Sequence, residues 1–137
     1  MSGPEAPRIS DAESQVMAVV WDGADAGRGG AGAEEILGSA GAANGWSETT
    51  VRTLIHRLMR KGVLASERRG GMALYTPKVS RDAWVTAESQ GFLDRLFGGQ
   101  LSTLVAHLAR QRTMSPEDVA RLRRLVADLD AEAAEED

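Results

Sequence analysis

The chain has 137 residues and is 42% hydrophobic, enough for one domain with its own core or for a small module plus an oligomerisation arm. It has no cysteine, which excludes disulfides, thiolate metal sites and cysteine nucleophiles. Residues 1–10 carry Pro4, Glu5 and Pro7 without an apolar core, unlike a signal peptide. No apolar run approaches the roughly 18 residues of a membrane span, so a cytoplasmic protein is expected. The net charge of −4 hides an uneven spread, because residues 46–81 hold eight Lys/Arg against two Asp/Glu while both flanking segments are acidic. A basic block between acidic ones is a local electrostatic footprint that suits a polyanionic partner.

In chain order, residues 1–9 read as a disordered arm. Ser10 with Glu13 forms a capping box, and Val16, Met17, Val20 and Trp21 follow at helical spacing, predicting a first helix over 11–21. Gly, Ala and Asp dominate 22–32 and break it. A short second helix spans 33–40, and 41–45 reads as a turn. Ser47 caps a third helix whose stripe is Val51, Leu54, Ile55 and Leu58; Gly62 terminates it. Trp46 reads as a hydrophobic staple, and Trp21 and Tyr75 as core. Two short runs, 63–69 and 72–77, flank Gly70-Gly71 and predict a β-hairpin closed by Pro77.

Ser80 opens a long helical stretch to about 112, interrupted at Gly98-Gly99. Ser115-Pro116-Glu117-Asp118 starts a last helix to about 130, and the Ala- and acid-rich residues 131–137 read as a fraying tail. The expected fold is mainly α with a small β-hairpin wing: a winged helix-turn-helix over 10–78 and a helical dimerisation region over 79–130.

The third helix turns Thr49, Arg52, Thr53, His56 and Arg60 away from its stripe, with Thr50, Arg57 and Lys61 flanking. Cations and hydroxyls on one face suit phosphates and base edges, and arginine pairs with guanine through two parallel bonds. Glu48 is the only carboxylate of this helix. Arg68 and Arg69, beside the hairpin tip, would reach phosphates or a narrow minor groove. The rival readings are a solvated basic helix face and a solvated turn. Two histidines 51 positions apart and no cysteine offer no metal site, no cofactor motif is present, and no G-x-S-x-G elbow marks an enzyme. Phe92, Leu93, Leu96 and Phe97, then Leu101, Leu104, Val105 and Leu108, and finally Leu122, Leu125, Val126 and Leu129 form apolar stripes. They have no third layer in a chain this short, so a second copy is the expected cover.

These residues also carry a resemblance. Ile9-Ser10-x-Ala12-Glu13-x-x-Val16-Met17-x-x-x-Trp21 resembles the opening of the penicillinase and methicillin-resistance repressors, the BlaI/MecI/CopY group. Trp46-Ser47-x-x-Thr50-Val51-Arg52-Thr53-Leu54-Ile55-x-Arg57-Leu58-x-x-Lys61-Gly62 is the most specific match. The resemblance covers about residues 9–129. It implies a winged-helix repressor, homodimeric on a palindromic double-stranded operator, often controlling β-lactam resistance, with Thr50, Arg52, Thr53 and Arg57 on the operator-contacting helix. It also implies a membrane metalloprotease sensor that triggers cleavage in the dimerisation arm. Cleaved members carry Asn-Phe after Leu-Val-Leu, where this chain reads Leu104-Val105-Ala106-His107-Leu108, so the corresponding bond is His107–Leu108. The C-terminal cysteines of copper-responsive members are missing, which excludes thiolate copper sensing. Two alternatives remain open on the sequence, a winged-helix protein–protein interaction module and a ligand-responsive winged-helix regulator.

Overall fold

The computed structural model describes residues 8–136, so residues 1–7 of the expected arm lie outside the described part. Ile9, its last residue, packs against the core. The elements run α1 (Asp11–Asp25), α2 (Ala33–Ile36), a π-helical turn (Leu37–Gly41), α3 (Ala42–Asn44), α4 (Glu48–Arg60), β1 (Leu64–Arg69), β2 (Met72–Pro77), α5 (Arg81–Phe97), α6 (Leu101–Arg110) and α7 (Pro116–Glu136). The chain divides into two compact units between Glu88 and Ser89.

The core of the first unit is built where the helical spacing predicted it. Val16, Met17 and Val20 of α1, Ile36 of α2 and Val51, Ile55 and Leu58 of α4 are almost completely buried, and Trp21, Leu54, Val63 and Leu64 complete the cluster. Each buried aliphatic side chain of this size contributes about 1.5–3 kcal/mol. The Ser10–Glu13 capping box forms at the start of α1. At the end of α4, Gly62 takes φ +79°, its N–H donates to Met59, and the Val63 N–H donates to Leu58. This double closure needs the left-handed glycine. Gly70 and Gly71 both have positive φ and join β1 to β2 in an antiparallel register from Leu64–Pro77 to Arg69–Met72.

Three sequence expectations change in the first unit. First, α1 continues past Trp21 to Asp25. Asp22 and Asp25 would oppose the helix dipole at this end, but Arg81 pairs with both, at 2.7 and 3.1 Å. The indole of Trp21 donates to the Val79 carbonyl at 2.9 Å and lies 5.6 Å from the ring of Trp84. Second, residues 41–44 are helical, and the turn is confined to Gly45, at φ +70°, and the two residues after it. Gly41 is closely packed there: a Cβ would stand 3.0 Å from the Leu37 side chain and 3.4 Å from that of Val51. Third, the glycine-rich stretch does more than break the helix. Ala31 and Tyr75 exchange backbone hydrogen bonds of 3.0 and 2.9 Å, adding a bridge to the edge of β2. A Cβ at Gly23 would collide with the Gly30 carbonyl, and one at Gly30 with the Tyr75 carbonyl.

The second unit holds the rest of α5, α6 and α7. None of these helices has a fully buried side chain. Residues 131–136, expected to fray, continue α7, because the run Ala131–Ala134 is rich in strong helix formers. Among the described residues no helix is long and apolar enough to cross a membrane.

Candidate nucleic-acid interface

Helix α4 is held from below and open above. Its stripe enters the core, while Thr49, Thr50, Arg52, Thr53, His56, Arg57 and Arg60 are all exposed. Ser47 starts the helix by accepting the Thr50 N–H at 3.2 Å, and its hydroxyl lies 3.2 Å from that of Thr50. The Thr53 hydroxyl donates to the Thr49 carbonyl at 3.0 Å. With its one donor used, Thr53 has an acceptor and a methyl left to offer a base. Among the described residues, Arg57 and Arg60 have no acidic partner.

Two members of the expected set are placed differently. Arg52 does not stand alone: Glu48, one turn earlier, takes it at 2.9 Å. The sequence carried that pairing in the Glu–x–x–x–Arg spacing. Lys61 turns inward. Its ammonium bonds Glu13 at 2.7 Å and the Arg8 carbonyl at 2.8 Å. The Glu13 side chain is only 3% exposed. Burial pushes its carboxyl up, but bonds from Lys61 and Ser10 outweigh burial and hold it below its ordinary value of 4.5. One carboxylate oxygen, Oε2, is buried without a partner among the described residues. Lys61 thus ties the end of α4 to the start of α1, a pairing 48 residues apart that no local pattern announces.

At the hairpin tip Arg68 and Arg69 are both exposed. Arg68 donates to the Gly71 carbonyl at 2.7 Å, closing the turn. Arg69 pairs with Glu67 at 3.0 Å and donates to the Arg28 carbonyl at 3.3 Å, bracing the hairpin against the glycine-rich stretch. Met72, its cross-strand neighbour, is 64% exposed.

In the second unit, Phe92, Leu96, Leu101, Leu125, Val126 and Leu129 are exposed, and Leu93, Phe97, Leu104, Val105, Leu108 and Leu122 are half-buried. An apolar groove between α6 and α7 is lined by Val105, Ala109, Met114, Val119, Leu122 and Val126. His107 is exposed, its ring 5.9 Å from that of Phe97, and the His107–Leu108 bond lies inside α6.

A helical core, a two-stranded wing and an outward helix face with three arginines and one carboxylate define a winged helix-turn-helix DNA-binding domain. Residues 9–128 match the penicillinase repressor family, and the chain belongs to that family, which comprises DNA-binding transcriptional repressors and not enzymes. It is 28% identical over 122 residues to the penicillinase repressor of Bacillus licheniformis, covering 89% of this chain and 91% of the relative. It is 26% identical over 118 residues to the methicillin resistance regulatory protein MecI of Staphylococcus aureus, covering 86% and 92%. Among solved structures, the monomeric form of Bacillus licheniformis BlaI in complex with the blaP half-operator matches with a TM-score of 0.49 and 30% identity, covering 58% of this chain and 90% of that one.

Proposed function

We propose that this protein represses transcription as a cytoplasmic homodimer on a palindromic operator, with α4 in the major groove and the β1–β2 tip against the flanking backbone or minor groove. The observation that carries this reading is the exposed face of α4, where Arg52, His56, Arg57 and Arg60 stand over a fully packed stripe. Phosphate attraction supplies affinity, and side chains at the base edges supply sequence. Lys61, held by Glu13, is assigned to positioning α4 rather than to contacting DNA. The repressors it resembles act on penicillinase and methicillin-resistance genes, which supports targets in β-lactam resistance or cell-wall stress.

The apolar faces of α5 to α7 and the groove between α6 and α7 support burial against a second copy. Dimerisation makes two modest half-site affinities act together, so severing the arm would release the operator. On the family resemblance, derepression runs through cleavage near 104–109 at a shifted bond, triggered by a membrane metalloprotease sensor, or through loss of the repressor by another route. The His107–Leu108 bond is helical, so a protease needs α6 to open locally first. The test is fluorescence anisotropy with a duplex selected from random sequence. Arg57→Ala and Arg60→Ala should each weaken binding by about 1–3 kcal/mol for a base contact, or lower the salt slope by about one for a phosphate contact. Parent-like affinity and salt slope in these two variants and in Arg52→Ala would remove α4 from the interface.

A further inference from the structure

The single carboxylate on the outward face of α4 does more than offset a charge. Arg52 donates to Glu48 Oε1 through both Nε and Nη2, at 3.1 and 2.9 Å. A guanidinium has five N–H donors in a rigid fork. This pairing occupies the edge formed by Nε and Nη2. It leaves free the end of the fork, where Nη1 and Nη2 present two parallel N–H groups. That pair matches the N7 and O6 acceptors of guanine in the major groove. The two side chains are 60% and 65% exposed, and an exposed pair one turn apart on a helix contributes little to stability. Its consequence is which donors remain available and where they point.

We propose that Glu48 is a positioning residue that fixes Arg52 end-on for a guanine, and so sets the preference at one base pair of each half-site. This rests on the reading of α4 as the DNA-reading helix. An unrestrained arginine on this face would divide its time between phosphates and bases. Glu48 opposes the phosphate alternative by like-charge repulsion and pre-organises the base contact, so rotamer freedom is surrendered before binding rather than during it. The same carboxylate penalises sequence-independent binding, which is specificity gained by repulsion as well as by attraction.

The test selects binders from a random-sequence duplex library with the full chain and with Arg52→Ala, Glu48→Ala and Glu48→Gln, and separately titrates sheared genomic DNA. The parent should enrich a motif with guanine at one position of each half-site. A two-bond arginine contact favours guanine there by about tenfold or more. Arg52→Ala should abolish that preference, and Glu48→Ala should reduce it by about twofold, the worth of an exposed pair one turn apart, while the other positions stay unchanged. Glu48→Gln keeps an acceptor for Arg52 but loses the charge. It should retain part of the preference and bind genomic DNA more tightly, with a steeper salt dependence. A helix-start role alone would leave the base preference unmoved, and loss of a like charge alone would tighten genomic DNA binding without changing that preference. A parent motif that Glu48→Ala and Glu48→Gln reproduce at every position overturns the inference and leaves the operator-binding reading standing. A motif unchanged in Arg52→Ala also overturns it. If the parent enriches no motif, the operator-binding reading falls and this inference falls with it.

Discussion

Replacing Lys61 with Met separates positioning from DNA contact more cleanly than any other change on α4. The substitution removes a 2.7 Å ion pair with Glu13 and a 2.8 Å bond to the Arg8 carbonyl, yet it keeps an unbranched apolar stem. Glu13, 3% exposed, then retains the Ser10 N–H but no counter-charge. Breaking a buried pair from one side costs about 3–5 kcal/mol. The lower end applies, because the Lys61 side chain is 34% exposed and water reaches it. About 3 kcal/mol is a large share of the 5–15 kcal/mol expected of a domain, and at about 2 kcal/mol per molar urea the midpoint should fall by about 1.5 M. Glu13→Gln should cost less, about 1–2 kcal/mol, because Lys61 can turn to solvent. The double variant Lys61→Met with Glu13→Gln should be more stable than the sum of the single losses allows, the coupling expected of direct contact. Urea unfolding followed by the fluorescence of the three tryptophans, Trp21, Trp46 and Trp84, measures all three variants. Parent-like midpoints in the two single variants would refute the strut. Parent-like stability of Lys61→Met, with weaker DNA binding and a salt slope lower by about one, would make Lys61 a phosphate contact instead.

The same pair predicts a pH response. The Glu13 carboxyl is depressed below 4.5 in the folded chain, so its contribution is fully present above that value and is lost as pH falls through the lower folded value. Acid titration of the urea midpoint should show this loss in the parent and not in Glu13→Gln. Gly30→Ala drives a Cβ into the Tyr75 carbonyl and should destabilise the domain by about 1–3 kcal/mol, read from its thermal midpoint; an unchanged midpoint would deny the close approach. Leu104→Asp with Leu125→Asp should yield a monomer in sedimentation velocity and lose tight operator binding, whereas a persistent dimer would reject these stripes as the seam. Mass spectrometry of the protein from derepressed cells should show fragments cut near 104–109, and intact chains would reject proteolytic release.

What could be read from the sequence was what repeats or terminates locally. The Val51–Leu58 stripe, the Ser10 and Ser47 caps, the Gly62 stop and the Gly70-Gly71 turn each follow from a period or a dihedral requirement, and each stands where expected. Contacts between distant segments were not legible. Gly23 and Gly30 look like breakers until the Gly30 carbonyl, close against Gly23, and the Tyr75 carbonyl, close against Gly30, show why no Cβ is tolerated at either. Asp22 and Asp25 look wrong at a helix end until Arg81 arrives from 56–59 residues away. The basic face of α4 was visible as composition, but composition counts Lys61 and Arg52 as equal free cations. The fold commits one to Glu13 and aims the other with Glu48.

On the proposed reading, α4 reads DNA from a two-fold assembly of the full chain. Hydroxyl-radical footprinting on a duplex selected by the full chain tests it most directly. Two protected half-sites related by a dyad are expected, their centres about one helical turn apart or a multiple of it, with loss of both footprints together in the Leu104→Asp, Leu125→Asp variant. Protection of a single asymmetric half-site, or a two-fold footprint that the monomeric variant reproduces at the same concentration, would contradict it.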